Sequence, residues 1–181
     1  MYRYVAALVL VLVPITSLSE SKSISYSDFQ RDFMAIVLEY SQKYPRAENE
    51  LQKSSLVTER LNRFRKLKGD PRRIKDWYGT LESMGTTGDG KAFVTIRLAS
   101  VPDLRVSTWN NFFSDSKDKS LIPQSSKVYA KLAAMKKGNV VKFSGTLRQP
   151  TNPTEEGKMV TPNFLFIFTE IDKIGDSISQ Q

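Results

Sequence analysis

The apolar positions change their rhythm once along this chain, near residue 74. Before that point Phe29, Phe33, Ile36, Val37, Tyr40 and Tyr44 recur at helical spacing and place one apolar stripe on one helix face. Ser27 stands at the N-cap position, and Gln30 three residues later completes a capping box. Pro45 ends or kinks this helix. A second stripe, Leu51, Val57, Leu61, Phe64 and Leu67, predicts a second helix that Gly69-Asp70-Pro71 stops. Stripes of this kind pack against a neighbouring domain or dock a partner, and packing against the downstream domain is the expected use.

From Ile74 onward apolar and polar residues alternate as in strands. Strands are predicted at Ile74–Ser83, Ala92–Leu98, Leu104–Asn110, Val140–Leu147 and Asn163–Ile171. Gly85, Gly88 and Asp89-Gly90 supply the conformational freedom that a connection between the first two strands requires. A polar loop is expected at Ser114–Ser120, a helix at Ser126–Lys136, and an irregular proline-bearing loop at Gln149–Pro162. The chain therefore divides into residues 1–19, a helical extension at 20–69, a strand-rich domain at 70–174 and a frayed tail at 175–181.

The order strand, strand, strand, helix, strand, strand is the layout of a five-stranded OB-type β-barrel, a mainly β fold with α elements, preceded here by the helical extension. Residues 74–172 resemble the OB-fold class. The stretches WYGTLESMGTTGDGKAFVTIRLA, LRVSTWNN and AKLAAMKKGNVVKFSGTL are similar to segments of secreted bacterial OB-fold proteins. The resemblance covers a little over half of the chain and implies a barrel that binds rather than catalyses.

Alternation then sorts the barrel faces. Trp77, Leu81, Val94, Ile96, Val106, Val141, Phe143 and Leu147 are expected inside, with Leu98, Leu104 and Thr108 on the same side. The outer positions of the second and third strands align if their hairpin is centred near Val101. Phe93 then faces Trp109, Thr95 faces Ser107, and Arg97 faces Arg105. Two aromatics and two guanidiniums thus share the face on which OB-folds bind ligands, and Tyr78 on the first strand extends it. Two guanidiniums directly opposed are unfavourable, and either an anionic ligand or a carboxylate such as Glu82 or Asp76 would relieve them. A second reading stays open, in which Phe93 and Trp109 are the floor beneath the two helices.

Composition and charge narrow the chemistry. The 181 residues are 40% hydrophobic, which suffices for a core without staples. No cysteine is present, so disulfides and thiolate metal sites are excluded. No histidine is present either, which removes the commonest general base and metal ligand. The net charge of +8 favours an anionic partner. Arg60, Arg63, Arg65, Lys66, Lys68, Arg72, Arg73 and Lys75 crowd together as an electrostatic patch. A calcium-dependent nuclease on such a barrel would need an acidic cluster beside Arg97, Asp103 and Arg105, and Ser100-Val101-Pro102-Asp103-Leu104 lacks it. Asp115 with Asp118, and Glu155 with Glu156, read as solvated loop charges. No catalytic residue, metal or cofactor is expected.

Residues 1–19 read as an address. Arg3 precedes the unbroken apolar run Val5–Val13, then Pro14 and the small residues Ser17 and Ser19. The run is too short to span a bilayer, for which roughly 20 apolar residues are needed. A cleaved secretory signal is expected, with a secreted or periplasmic destination and no later membrane span. The functional expectation is an exported, non-enzymatic protein that binds an extended anionic polymer, single-stranded nucleic acid or glycan, on the face of the second and third strands. The alternative is an envelope-assembly, inhibitor or immunity-type factor whose helical extension and barrel loops contact a protein partner.

Overall fold

The computed structural model describes residues 24–98, 103–148 and 159–176. The signal reading at 1–19, the centre of the second hairpin at Val101 and most of the proline-bearing loop lie outside these residues. Helix α1 spans Asp28–Lys43, and Ser27 Oγ caps it by accepting from the Gln30 N–H at 3.2 Å. A 3-10 turn at Tyr44–Arg46 holds Pro45, and α2 follows at Glu50–Arg65, capped by Asn49. The α1 stripe is buried as the spacing predicts, apart from the half-buried Phe29. On α2, Val57 and Phe64 are buried, but Leu51, in its first turn, is 82% exposed.

The strands are β1 (Ile74–Thr86), β2 (Ala92–Arg97), β3 (Arg105–Ser107), β4 (Val140–Arg148) and β5 (Asn163–Gly175). Between β3 and β4 lie two short helices, α3 (Phe112–Asp118) and α4 (Lys127–Ala133), so the segment expected as a polar loop is partly helical. The sheet closes in the order β1-β2-β3-β5-β4, with β4 returning to β1. The β3–β5 pair is parallel and the other pairs are antiparallel. A closed five-stranded barrel with an N-terminal helical segment is compatible with an OB-type fold. The first connection is tighter than the glycines suggest: β1 continues through Gly85, and the turn is confined to Thr87–Lys91. Gly90 adopts φ +79 there, the left-handed region that an L side chain disfavours.

All eight residues expected in the barrel are buried, and Leu98, Leu104 and Thr108 join them. Trp77, Phe143, Phe166 and Phe168 fill the interior as an aromatic chain with centroid separations of 4.6–6.4 Å. The helices close one end of this barrel. Phe33 of α1 lies 5.2 Å from Trp77 and 5.0 Å from Phe164, and stacks on Phe64 of α2 at 5.3 Å. Val128 and Leu132 of α4 belong to the same continuous core.

Gln30 has a different task from the expected one. It is fully buried, and its side chain leaves the capping box to clamp β1: Nε2 donates to the Tyr78 carbonyl at 2.7 Å, and Oε1 accepts from the Tyr78 N–H at 3.1 Å. The β1–β2 ladder begins only at Thr80↔Arg97, so the amide stands in for a missing strand partner. Gly175 and Asp176, expected in a frayed tail, belong to the fold. β5 runs to Gly175, and Asp176 accepts from Asn139 at 3.0 Å and pairs with Lys173. Among the described residues no helix is long and apolar enough to cross a membrane.

Candidate functional site

The register of β2 and β3 is the one that alternation predicts: Thr95↔Ser107, Ile96↔Val106 and Arg97↔Arg105. The two guanidiniums therefore do meet on the outer face. Between them stands Glu82. Its position follows from a bulge in β1, where the register with β2 slips between Leu81 and Ser83 and leaves Glu82 as the extra residue. Arg97 Nε lies 3.0 Å from Glu82 Oε2, and Arg105 Nε contacts both carboxylate oxygens at 3.1 and 3.0 Å. Arg105 also reaches Asp103 at 3.4 Å. Of the two anticipated carboxylates, Glu82 compensates the arginines, while Asp76 pairs with Lys142 at 3.2 Å. Partial burial would push the Glu82 carboxyl up, but hydrogen bonds from Arg105 and then Arg97 outweigh it and hold the group below its ordinary value.

The aromatic half of the expected face is rearranged. Phe93 and Trp109 do not form a strand pair, because β3 ends at Ser107. Thr108 still donates its N–H to the Val94 carbonyl at 3.0 Å, but its own hydroxyl, not a backbone carbonyl, accepts from the Val94 N–H at 3.1 Å. The backbone turns away at that point. Trp109 then donates its N–H to Ser120 Oγ and its indole Nε1–H to Asp118 Oδ2, both at 2.9 Å, and remains 37% exposed. Phe93 is half-buried and lies over Gly85, where any Cβ would fall 2.5 Å from its ring. Tyr78 is turned toward the helical extension and meets Tyr26 edge-on at 6.3 Å. The five expected site residues are thus split between an arginine end, an aromatic end and a Tyr78 that faces elsewhere.

The helices leave this strip open. They occupy the barrel end where β1 and β5 begin, and Arg97 and Trp109 remain exposed. The floor-beneath-the-helices reading of Phe93 and Trp109 does not hold: Trp77 and Phe164 have that position.

The basic segment is corrected at one residue. Arg60 is 1% exposed, with its guanidinium 5.8 Å from the Phe64 ring centre, and burial lowers its pKa to about 10. Arg60 lies buried beside Phe64 and adds nothing to a surface patch. Arg63 pairs with Glu39 at 3.2 Å, Arg72 pairs with Asp70 at 3.2 Å, and Arg65 bonds to Asn62. Lys66, Lys68, Arg73 and Lys75 are exposed. Strand pairing brings the start of β1, the end of β4, the start of β5, the start of β3 and the end of β2 to one barrel end. Arg72, Arg73, Lys75, Arg148, Arg105 and Arg97 consequently share a basic rim there.

Several features were not anticipated from the sequence. Asp115 is not a solvated charge: it is buried and accepts from the Ser120 N–H, the Ser120 hydroxyl (2.8 Å) and the Leu121 N–H (3.0 Å). Phe112 and Phe113, both on α3, are 54% and 87% exposed. The Phe-Phe doublet was the available signal, hidden by its place in a polar stretch. An open groove of about 470 Å³ runs between the helices, lined by Lys43, Arg46, Leu51, Leu56 and Glu59 among others. Among the described residues no cluster of three or more Asp or Glu side chains could hold a metal ion. Compared with known proteins, the chain matches no family model, no curated protein and no solved structure.

Proposed function

We propose that this chain is an exported, non-enzymatic binding module of the OB type that holds an extended anionic polymer, single-stranded nucleic acid or an acidic glycan, along the outer face of β2 and β3. The supporting observation is the open strip itself. It begins at the basic rim beside Arg97 and Arg105 and ends at the exposed Trp109. The strip follows β3 from Arg105 to Ser107 and ends where the chain turns away at Thr108 and presents the indole. Glu82 and Asp103 compensate Arg97 and Arg105 in the free protein, so attraction rests on the uncompensated Lys and Arg of the rim. The likeness to exported bacterial OB-fold proteins and the reading of residues 1–19 as a cleaved signal are parts of the same proposal.

The test is a titration of residues 20–181 with labelled oligo(dT) and with heparin, at low and high salt. Binding should weaken steeply with added salt. Trp109→Ala should weaken it by more than any change in melting temperature accounts for, since the indole is held by Asp118 and keeps part of its surface in solvent. If neither polymer binds at low salt, the protein-partner reading replaces this one. The open groove lined by Lys43, Arg46, Leu56 and Glu59, with its exposed Leu51, is the observation that favours that second reading.

A further inference from the structure

The segment leaving β3 carries three solvent-facing rings within five residues, Trp109, Phe112 and Phe113. Two adjacent phenylalanines in water are unfavourable for solubility and add nothing to the core. The segment is nevertheless firmly built. The Asp115 carboxylate ties α3 to Ser120 and Leu121, Ser120 Oγ accepts from the Trp109 N–H, and Asp118 holds the indole. These bonds keep the backbone from collapsing and leave the rings outside. The Phe112 and Phe113 rings stand edge to face, 6.1 Å apart and 75° between planes. Lys91, the last residue of the turn before β2, lies 5.4 Å from the Phe112 ring centre. Flat π-faces, a cation beside them and a preorganised backbone are what unstacked bases on a phosphate chain require.

We infer that Trp109, Phe112 and Phe113 form a stacking platform for the bases of single-stranded nucleic acid. The inference rests on the polymer-binding reading above and selects nucleic acid from its two polymers. Both polymers can pack on aromatic rings, a sugar through its C–H bonds and a base through its π-face, but three rings within five residues match successive unstacked bases, and the heparin arm of the experiment separates the two. A bilayer is disfavoured by charge: Asp118 at the indole and Asp89, 3.0 Å from Lys91, flank the rings and leave anionic headgroups no net positive surface there, whereas base stacking needs only the ring faces.

The experiment compares oligo(dT), an abasic oligonucleotide of the same length, heparin and phosphatidylglycerol vesicles, each against the wild-type chain and a Phe112→Ala/Phe113→Ala variant. Oligo(dT) is expected to bind at least about tenfold tighter than the abasic strand. The variant should lose on the order of tenfold per ring for oligo(dT) while its abasic affinity stays unchanged. Trp109 fluorescence should be quenched by oligo(dT) alone, while Trp77, 1% exposed, stays constant. Should the double variant melt early, Phe113→Ala alone carries the same comparison, because that ring is almost fully solvated. Equal binding of abasic and base-bearing strands, indifferent to the rings, overturns the platform and leaves the polymer reading standing. Ring-dependent binding to vesicles without binding to oligo(dT) overturns it in favour of a membrane. Absence of binding to every polymer at low salt overturns both.

Discussion

Arg97 and Arg105 show how one side chain changes the meaning of a site. Opposed guanidiniums suggest an anion site, and the anion turns out to be Glu82, supplied by a bulge one strand away. Partial exposure limits what this group contributes, on the order of 1 kcal/mol. Its effect is readable through pH. The folded carboxyl ionises at lower pH than the unfolded one, whose ordinary value is 4.5, so the unfolded chain binds more protons as the pH drops. The contribution is complete above that value and is lost as the pH falls through the folded value. Glu82→Gln is therefore expected to melt below wild type at pH 7, and the difference should close at pH values well under 4.5. A gap that persists unchanged in acid would mean that Glu82 acts through shape rather than charge.

The elements owe much to single polar groups at their ends. Gln30 joins α1 to β1 by two hydrogen bonds to Tyr78, in a stretch where β2 has no residue left to offer. Gln30→Leu keeps the volume and strands a backbone N–H and C=O in a buried place. It should destabilise by about 2–3 kcal/mol, measured by chemical denaturation. Gln30→Glu keeps an acceptor for the N–H and loses the donor, so it should also destabilise. Equal stability of Gln30→Leu and wild type would show that water satisfies Tyr78 and that the helix is held by its aromatic residues alone. Thr108 acts at another end: its hydroxyl takes the place of a carbonyl and stops β3, which sends Trp109 toward α3.

For the molecule as a whole, the helical segment and the barrel share one hydrophobic core. Phe33, Phe64, Trp77 and Phe164 form one aromatic junction, and the core continues from it through Phe143 to Ile171. Helix melting followed by far-UV circular dichroism and Trp77 fluorescence should therefore give coincident transitions. Phe33→Ala should lower both together, by roughly 3–5 kcal/mol. An early helical transition that leaves Trp77 fluorescence native would separate the extension from the barrel. The exterior divides differently: a basic rim surrounds the helix-capped end, and exposed aromatics gather where β3 exits.

Periodicity carried the parts of this protein that depend on neighbours in the chain. The alternation of Val94, Ile96, Leu104 and Val106 assigned inside and outside, and hence the Arg97↔Arg105 register, because a strand's side chains have a period of two whatever lies beyond them. The α1 stripe did the same at period 3.6, and helix caps were legible at Ser27. Tertiary structure decided everything that depends on which groups meet across the barrel. A bulge has no period, so Glu82 could be named only as one of two carboxylates. A strand that ends by a side-chain hydroxyl looks in sequence like a strand that continues, so the Phe93–Trp109 pair was expected and does not form. Asp115 and Arg60 read as surface charges because no period marks the burial of a polar side chain: one is enclosed by bonds from Ser120 and Leu121, the other lies buried beside Phe64. The helices' seat on Trp77 and Phe164, which leaves the β2–β3 strip open, follows from the shape of the closed barrel end, and no local pattern along a chain encodes that shape.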